Sequence, residues 1–530
     1  MVVGKMFYRF WLPAFLLCFT TLSARAQSFQ VQCPNTTITH PAATNNSEPT
    51  YVGPTYTGTS GYPAAPTHVN GAIKCQQISG GDGFATMGDG TQTYLFAFGP
   101  LSGLADMSKG LPGTQFPGVF NTVAPPLVPG DPATSDGASQ SPYSFGNPLL
   151  FTYNGAVGLA PDLDAIAAGT CTAPCLDGHV DPRPIMDVGV MNGNMPAPLM
   201  AIDEDDEFFL TLTNVGQVMR PDLFEQHTVH FHGYPNASAF YDGVPDASVA
   251  INIGGSFTYY YLAPDAGTYF WHCHITPPEH LQMGMVGQLY VRPRQNRATG
   301  ALYAALQQQQ LDPRTRCDSN DILCSNPLPA VNTSATGGAK YAYNDGDGTT
   351  RYDVEYPLQI HGFDPNFHFV GMTFNPEGFT DMKDKYFLLN GRSYPDTVHD
   401  GPLATQTTDG ALHYAQPMSS IINIPVGGRA LLRIADLDVT EYQTLASMGI
   451  PMQVIGLNAK LLRDQSGNNL YYNTNSITLA GGESLDVILD ASDTAKYPSG
   501  SVFYLYTPNL DHLSNDAENF GGLMTEVRIN

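Results

Sequence analysis

Residues 227–233 read HTVHFHG and residues 271–285 read WHCHITPPEHLQMGM; together they hold six of the fourteen histidines in the chain. Both segments belong to runs of aromatic and β-branched residues broken by Gly, Pro or Asp, which is typical of β-strands. Side chains alternate between the two faces of a strand, so His230 and His232 share one face while His227 points to the other. The same rule puts His272 and His274 on one face and Cys273 on the opposite face, which predicts two separate clusters if the strands pair.

The first predicted cluster holds His227 and Cys273, with His280 and a methionine provided by the loop that follows the second strand. Two imidazoles, one thiolate and a distant thioether are the ligands of a blue-copper electron-transfer site. Spacing favours Met285 over Met283 as the axial ligand. The alternative is a buried free cysteine beside structural histidines.

The second predicted cluster is a set of four neutral nitrogen donors suited to copper or zinc. Its alternative is a vestigial or zinc-filled site. Its members are His230, His232, His272 and His274. The remaining histidines include no His-x-His pair and are interpreted as ordinary surface or loop residues: His40, His68, His179, His361, His368, His399, His413 and His512.

These residues resemble the multicopper oxidases of the cupredoxin superfamily, whose ligands run His-x-x-His-x-His-Gly, then His-Cys-His, then a histidine and an axial Met or Leu five residues later. The resemblance extends over residues 191–214 and 241–274, and a second domain is suggested by residues 386–394, 476–491 and 521–529. It implies a copper protein of the two-domain type, with the type 1 site in the first cupredoxin domain. By this resemblance the type 1 ligands are His227, Cys273, His280 and Met285, the type 2 ligand is His230, and the type 3 ligands are His232, His272 and His274.

The chain departs from the family in two respects. The segment from Cys273 to His280 is two residues longer than in laccases, which changes the surface expected around an exposed type 1 histidine. A trinuclear copper cluster needs eight histidines, and this chain shows one set of four. A two-fold homodimer that brings two such sets together would complete it. A single type 2 copper with one ligand from a neighbouring chain, as in nitrite reductases, is the other possibility.

The composition fits an all-β protein. The 530 residues include 53 glycines and 42 prolines, and only 13% are charged against about 25% in ordinary soluble domains. Strand patterns recur in two regions, which predicts two Greek-key cupredoxin β-sandwich domains. The first region has runs at 93–98, 208–215, 228–231, 257–262 and 267–274, and the second at 421–426, 430–434, 476–480, 485–489, 502–506 and 523–529.

The predicted organisation has five parts. Residues 1–26 are a signal peptide, 27–90 a loop-rich N-terminal extension, and 91–297 the copper-binding first domain with an insertion at about 105–185. Residues 298–345 form a connection with a short helix at 301–311, and 346–530 are a cupredoxin-like second domain without copper motifs.

The signal peptide rests on Lys5 and Arg9, an apolar stretch at 10–22, and the Ala-Arg-Ala site at 24–26, and it predicts a secreted or periplasmic protein. No later apolar run reaches the ~18 residues that span a bilayer. Without residues 1–26 the chain has 20 basic and 48 acidic side chains, a formal charge of −28, which argues against a nucleic-acid partner.

Six cysteines fall into sequence-local pairs that an oxidising compartment would join as disulfides. Cys273 is left over, and metal ligation explains a free thiol. The predicted pairs are Cys33 with Cys75, Cys171 with Cys175, and Cys317 with Cys324.

The resulting functional hypothesis is a secreted copper oxidoreductase. Its type 1 copper takes single electrons from a small-molecule or metal-ion donor, such as a phenol, iron or manganese. Cys273, His272 and His274 then carry the electrons to the histidine-bound copper centre, where dioxygen is reduced. The alternatives are an electron carrier or copper-binding protein without oxidase activity, and a nitrite-reductase-like enzyme.

Overall fold

The computed structural model describes residues 71, 73–101, 159–161, 168–169, 176–180, 193–220, 223, 225–233, 238–263, 265–309, 327–368, 378–406 and 412–530. The predicted signal peptide at 1–26 lies outside these residues, as do the side chains of the six cysteines expected to form disulfides. In the described part of the chain, Cys273 is a free, buried cysteine. Neither of the two α-helices described there is long and apolar enough to cross a lipid bilayer.

Strands dominate the chain. The first ten are β1 (Ile73–Thr86), β2 (Gln92–Pro100), β3 (Leu159–Pro161), β4 (Leu176–Val180), β5 (Met200–Asp203), β6 (Glu207–Gly216), β7 (His230–Phe231), β8 (Ser256–Leu262), β9 (Gly267–His272) and β10 (Val286–Arg292). The helices are α1 (Pro277–Gln282) and α2 (Leu302–Gln309), and short 3-10 turns cover Ala239–Tyr241, Arg294–Arg297, Phe379–Asp381 and Asp396–Val398.

Eighteen further strands follow α2 in the described residues. They are β11 (Lys340–Tyr341), β12 (Arg351–Tyr352), β13 (Val354–Phe363), β14 (Tyr386–Leu389), β15 (Leu403–Gln406), β16 (Leu412–Gln416), β17 (Ile422–Ile424), β18 (Arg429–Asp436), β19 (Gln443–Met448), β20 (Met452–Leu457), β21 (Lys460–Leu461), β22 (Tyr472–Thr474), β23 (Ser476–Leu479), β24 (Ser484–Asp490), β25 (Val502–Tyr506), β26 (Ser514–Asn515), β27 (Glu518–Asn519) and β28 (Met524–Ile529).

The first sandwich consists of two four-stranded sheets, ordered β2-β1-β6-β8 and β5-β10-β9-β7. Strand β1 pairs antiparallel with β2 and parallel with β6, so strands distant in sequence lie side by side, as Greek-key connections require. Aromatic side chains that fill the space between the sheets include Phe96, Tyr259 and Trp271, each at most 1% exposed. Burial of each such side chain stabilises the fold by about 1.5–3 kcal/mol.

The second sandwich packs a sheet ordered β14-β13-β18-β24-β20-β21, with β22 beside β20, against a sheet ordered β17-β28-β25-β19-β23. Its core is aliphatic rather than aromatic, with fully buried Leu432, Val487 and Leu505 among its members. Two sandwiches with little helix confirm the predicted all-β fold class.

An apolar cluster and buried ion pairs join the two sandwiches. Phe270 and Leu281 of the first pack with Phe363 and Leu388 of the second in one buried cluster. Glu355, on β13, contacts two guanidinium groups: its carboxylate accepts hydrogen bonds from Arg292 of β10 and from Arg433 of β18. The interface is therefore continuous with the cores on both sides.

The structure corrects the boundary predicted at residues 90 and 91. Strand β1 runs along β2 and β6 in the first sheet, so residues 73–86 are part of the sandwich and the prediction of a loop-rich extension is wrong for them. Their three glycines, Gly80, Gly81 and Gly83, obscured the strand pattern. The rest of the extension, at 27–90, lies almost entirely outside the described residues.

Other predicted segments keep their place with changed lengths. The insertion at 105–185 is described only at residues 168–169 and in the small β3–β4 sheet. The predicted helix in the connection is α2. Strands β2, β6 and β8 confirm the predicted runs, whereas β7 covers only His230–Phe231 and β9 ends at His272. The chain leaves the sheet there because the next residues turn into α1.

Candidate metal centre

Backbone hydrogen bonds hold the segment around Cys273 in place. Cys273 follows directly after β9, and its N–H donates to the Met285 carbonyl at 3.1 Å. The N–H of Met285 in turn donates to the His280 carbonyl at 2.8 Å. Helix α1 lies between these residues and begins with Pro277 and Pro278, which suit a first helical turn because its N–H groups have no partner inside the helix.

The first predicted cluster is brought together. The Cys273 Sγ atom lies 3.2 Å from His280 Nδ1 and 4.0 Å from His227 Nδ1. The ligand atoms of all three residues lie within 4.8 Å of one another. The backbone N–H of Thr228 donates to the same sulfur at 3.4 Å. Two imidazole nitrogens and a sulfur therefore converge on one point.

The cluster is dry. Cys273, His227 and His280 are each 0% exposed, and Nε2 of both imidazoles has no hydrogen-bond partner. Burial lowers the pKa of His227 well below its usual value. Burial also lowers the pKa of His280, but the Cys273 sulfur and the Glu225 carboxylate outweigh that effect and leave it at about 9. The Nδ1 atoms of two buried imidazoles facing one buried sulfur are a donor set that fits a copper ion.

Met285 lies on the wall of this cluster. It is fully buried in the same core as Cys273. The backbone of Gly80 on β1 approaches both Met285 and His227: a Cβ at residue 80 would lie 2.6 Å from His227 Cδ2 and 3.3 Å from Met285 Cε. A side chain there would push the ligands apart. The methyl end of Met285 therefore lies near the Cδ2 edge of the His227 ring.

The second predicted cluster is formed at the start of β7 and the end of β9, where His230 pairs with His272. The Nε2 atoms of His232 and His272 are 3.0 Å apart. Ligand nitrogens of His230, His232 and His272 all lie within 4.8 Å of one another. His274 stands just outside this group, with its ring 4.9 Å from that of His230 and 5.5 Å from that of His272.

Backbone carbonyls orient these rings. The Nδ1 atom of His272 lies 2.6 Å from the Cys273 carbonyl, and that of His230 lies 2.7 Å from the Asp242 carbonyl. A ring that donates through Nδ1 presents an unprotonated Nε2, which is the form that binds a metal. Burial lowers the pKa of His232 to about 4 and that of His272 well below its usual value, so both rings stay neutral.

The second sandwich covers one side of the four-histidine cluster. A Cβ at Gly482 would lie 2.8 Å from His232 Nδ1, so only glycine fits there. His232 itself is exposed and His274 is half-buried, which leaves the other side open to solvent. Among the described residues, the second sandwich adds no histidine within ligand distance of this cluster.

The structure corrects two expectations about histidines. The expected exposed type 1 histidine, His280, is completely buried, with its Nε2 3.6 Å from a carboxylate oxygen of Glu225. His361, His368 and His512 are buried rather than on the surface, at 0%, 3% and 2% exposure. His399 is exposed as predicted. His40 and His68 lie outside the described residues, as do the side chains of His179 and His413.

Sequence reasoning missed the residues that support the ligands. Thr228 holds both ends of the site, since its N–H reaches the Cys273 sulfur and its hydroxyl accepts the N–H of His274 at 2.9 Å. Glu225 covers His280. Spacing gives no signal for Glu225, although the position of Thr228, next to His227, marks it as a neighbour of the site.

Comparisons with known proteins agree with this geometry. Residues 178–296 match the family model described as multicopper oxidase, so this segment is a multicopper oxidase domain. The laccase abr2 of Aspergillus fumigatus is 34% identical over 109 residues, covering 20% of this chain and 17% of the laccase. A copper-containing nitrite reductase of Rhizobium meliloti is 33% identical over 114 residues, covering 21% of this chain and 27% of the reductase.

The chain therefore spans only about a fifth to a quarter of the length of these relatives. Among solved structures, the blue copper oxidase of Nitrosomonas europaea aligns with 64% of this chain and 78% of its own, at 22% identity and a TM-score of 0.42.

Proposed function

We propose that this chain, whose residues 178–296 are a multicopper oxidase domain, is an exported copper oxidoreductase that takes electrons one at a time from a donor and reduces dioxygen. Copper, when bound, supplies one-electron redox chemistry at both histidine clusters. The two-domain type, with the type 1 site in the first cupredoxin domain, is part of this proposal. Dioxygen as the acceptor and export through residues 1–26 are further parts of it.

One observation carries the proposal: neighbouring residues of one short segment, Cys273 and His272, belong to different clusters and so connect them. Cys273 contributes its sulfur to the buried cluster, while His272 contributes its ring to the four-histidine cluster. The Nδ1 atom of His272 also lies 2.6 Å from the Cys273 carbonyl. Covalent bonds and one hydrogen bond therefore connect the sulfur to the second cluster, which is a short route for electrons.

The residues of the two clusters have different roles. His227, His280 and Met285 hold the metal that Cys273 binds, and their burial excludes water from it. His230, His232, His272 and His274 offer neutral nitrogens at the edge of the sandwich, where the open side of the cluster admits a small acceptor.

The electron donor is proposed to approach near His280. Glu225 covers its Nε2 and is itself 26% exposed, and the half-buried Glu279 lies next to it in sequence. Two carboxylates at this point, on a chain with a strong negative charge, attract cations, which favours a metal-ion donor. A phenol is the other donor that we consider.

The four-histidine cluster is proposed to be completed by a second copy of the chain. Four further nitrogens are needed for a trinuclear site, and the second sandwich covers the cluster with Gly482 rather than a histidine. The exposed side of His232 remains available to a symmetry-related cluster.

Copper per chain in the fully loaded protein tests the proposal, measured together with dioxygen consumption. We expect about 2.5 copper ions per chain for a trinuclear site shared across a dimer and about two for a separate type 2 centre. About one, with no dioxygen consumption, would contradict the proposal and identify an electron carrier. A protein that stays monomeric by light scattering, with and without copper, would exclude the shared site.

A nitrite-reductase-like enzyme is the second candidate, because a copper-containing nitrite reductase matches the same part of the chain. His230 and His274 exceed the usual type 2 requirement of that family. Nitrite consumption under anaerobic conditions, without dioxygen consumption in air, would favour it over the oxidase.

A further inference from the structure

Two cavities lie on either side of a polar wall contributed by the second sandwich. The first, of about 400 Å³, is lined by His232 of the four-histidine cluster and by Asp438, Thr440 and Gly482. The second, of about 340 Å³, is lined by Asp384, Lys383 and His512 among others. Asp438 therefore borders the cavity that contains a predicted copper ligand, and Asp384 borders the neighbouring one.

One hydroxyl bridges the two aspartates. The Thr440 Oγ1 atom hydrogen-bonds to Asp384 Oδ2 and lies 3.0 Å from Asp438 Oδ1. The Asp384 and Asp438 carboxyl groups also lie side by side, next to Gly362. Asp384, Thr440 and Asp438 form a continuous chain from one cavity to the other, which we call the carboxyl bridge.

The bridge is fixed by groups that do not titrate near neutral pH. The Gln282 amide donates to Asp384 Oδ1 at 3.0 Å, and the Gln443 amide donates to Asp438 Oδ2 at 2.5 Å. Both aspartates are buried, at 5% and 2% exposure. The backbone of Gly362 passes so close that a Cβ there would overlap both carboxyl groups. The bridge thus has a defined geometry.

Two buried carboxyl groups held side by side repel each other when both are charged, which favours a state in which one of them keeps its proton. Burial and the negative charge of Asp438 hold the pKa of Asp384 well above its usual value. The proton belongs to the pair rather than to one residue. The bridge therefore stores one exchangeable proton next to the cavity that contains His232.

We propose that Asp384, Thr440 and Asp438 deliver protons from solvent to the four-histidine cluster during dioxygen reduction. Reduction of dioxygen to water consumes one proton for each electron, so electrons that arrive through Cys273 need a matching supply of protons. In each step the shared proton passes from Asp384 through the Thr440 hydroxyl to Asp438, which releases it to water in the first cavity on its way to the reduced oxygen. Solvent in the second cavity then reprotonates Asp384.

This inference rests on the proposed function, since it needs dioxygen reduction at the four-histidine cluster. It assigns a role to residues of the second sandwich, which contributes no predicted copper ligand. Other titratable or charged groups around the bridge are Asp436, His361, Glu441, Glu483, Lys383 and His512.

Three variants test the bridge. Asp438→Asn and Asp384→Asn each remove one carboxyl group of the pair that shares the proton, and Thr440→Val removes the connecting hydroxyl while keeping both carboxyl groups. The matched control is Asp364→Asn, because Asp364 is equally buried, accepts hydrogen bonds from the backbone N–H groups of Asn366 and Lys383, and lines neither cavity.

The first measurement uses copper-free protein and infrared spectroscopy. We expect a protonated-carboxyl C=O band at pH 7 that disappears from the spectrum of Asp438→Asn and of Asp384→Asn and persists in Asp364→Asn. A spectrum unchanged by both bridge substitutions would mean that the pair holds no proton and would overturn the proposal, whatever the activity of the loaded protein.

The second measurement uses the copper-loaded chain and separates two rates. We expect reoxidation of fully reduced protein by dioxygen to slow about 10²-fold in Asp438→Asn, with partial rescue by added formate, while anaerobic reduction of the Cys273 site keeps its rate. Reoxidation at the control rate in all three variants would overturn the proposal. If the unsubstituted protein reduces no dioxygen, the proposed function fails and takes this role of the bridge with it, whereas the infrared band still reports the shared proton.

Discussion

Both sandwiches have the same strand order, yet within the described part of the chain only the first brings histidine and cysteine side chains together as candidate metal ligands. The order β2-β1-β6-β8 in the first matches β14-β13-β18-β24 in the second, and β5-β10-β9-β7 matches β17-β28-β25-β19. The parallel pairs recur as well: β1 with β6 corresponds to β13 with β18, and β5 with β10 corresponds to β17 with β28. The difference between them therefore lies in side chains rather than in the scaffold.

The segments that follow β9 and β25, here called the first and second corners, can be compared residue by residue through their hydrogen bonds. Cys273 donates its N–H to the Met285 carbonyl at 3.1 Å, and Thr507 donates to the Leu523 carbonyl at 3.0 Å. Each donor is the first residue after its strand, β9 or β25. Thr507 therefore occupies the position of Cys273, and Leu523 that of Met285.

The flanking strands extend the comparison. His230 pairs with His272 in the first sandwich, and Ala446 pairs with Tyr506 in the second. His227 lies three residues before His230, and Gln443 lies three residues before Ala446. Gln443 is fully buried, as His227 is.

A Glu–His contact recurs at both corners. Glu225 lies 3.6 Å from His280 Nε2 in the first sandwich, and Glu441 lies 2.7 Å from His512 Nε2 in the second. Where His280 faces a sulfur, the Nδ1 atom of His512 faces the Gln443 amide oxygen at 2.9 Å. The second corner therefore satisfies its polar groups internally, whereas in the first the Nδ1 atoms of His227 and His280 both face the Cys273 sulfur and His227 Nε2 has no hydrogen-bond partner. The side chains, rather than the fold, make the two corners different.

The largest expected effect comes from making the first corner resemble the second. Cys273→Thr removes the thiolate, so we expect complete loss of the intense visible absorption of a copper–thiolate site and loss of about one copper per chain. The measurement is absorption spectroscopy with copper analysis. Thr507→Ser is the matched control and should change neither; a blue protein after Cys273→Thr would contradict the ligand assignment.

The reverse change places the residues of the first corner in the second. Gln443→His together with Thr507→Cys gives the second corner two imidazoles and a thiolate, with Leu523 in the axial position. Because the two scaffolds superimpose in strand order and hydrogen bonding, we expect about one additional copper per chain and a stronger blue absorption. Unchanged copper content in a folded double variant would show that strand register alone does not position the ligands.

The next largest effect is expected from the buried Glu355 ion pairs between the two sandwiches, which should contribute to stability. Glu355→Gln leaves the fully buried Arg433 with the more distant Asp486 carboxylate, at 3.6 Å, as its remaining ion-pair partner, which should lower the free energy of unfolding by about 3 kcal/mol. Thermal and denaturant unfolding measure the change. Asp353→Asn, at the exposed pair with Arg351, is the control and should cost less than about 1 kcal/mol. Equal effects for the two variants would contradict the importance of the buried pair.

The Glu355 carboxylate should also make the stability of the fold depend on pH. Burial alone would raise the pKa of Glu355, but Arg292 and Arg433 outweigh it and lower the pKa to about 2. The folded state then binds fewer protons than the unfolded state between pH 4.5 and about 2, so its stability is full above pH 4.5 and declines as the pH falls. The loss amounts to about 3 kcal/mol. Melting temperatures should fall less steeply with pH in Glu355→Gln than in the unsubstituted protein; parallel curves would refute the assignment.

The smallest expected effect separates the two Glu–His contacts. Glu225→Gln removes a negative charge beside His280, so we expect kcat/KM for a metal-ion donor to fall several-fold while that for a neutral phenol changes little. Steady-state kinetics with both donors measure the ratio. Glu441→Gln, at the corresponding place in the second sandwich, should leave the ratio unchanged. The same ratio change in both variants would indicate a general charge effect.

The sandwich class and the ligand candidates could be predicted from the sequence, because alternation along a strand fixes which face a side chain takes. The spacing of His230, His232 and His272 was enough to place them on one side and Cys273 on the other. The alternation of apolar residues did not predict β1, because glycines break the pattern there although two neighbouring strands pair with the segment. Strand pairing over long sequence separations is decided by the whole sheet.

The contacts that surround these residues depend on the packing of the two sandwiches. The tertiary structure buried His280 beneath Glu225, brought Gly482 of the second sandwich against His232, and joined Asp384 to Asp438 through a threonine hydroxyl. These contacts join residues that lie between 54 and 250 positions apart, except for the near neighbours Asp438 and Thr440. No local pattern encodes such contacts, because they arise from how two separately patterned sandwiches pack, and packing depends on shape over the entire interface.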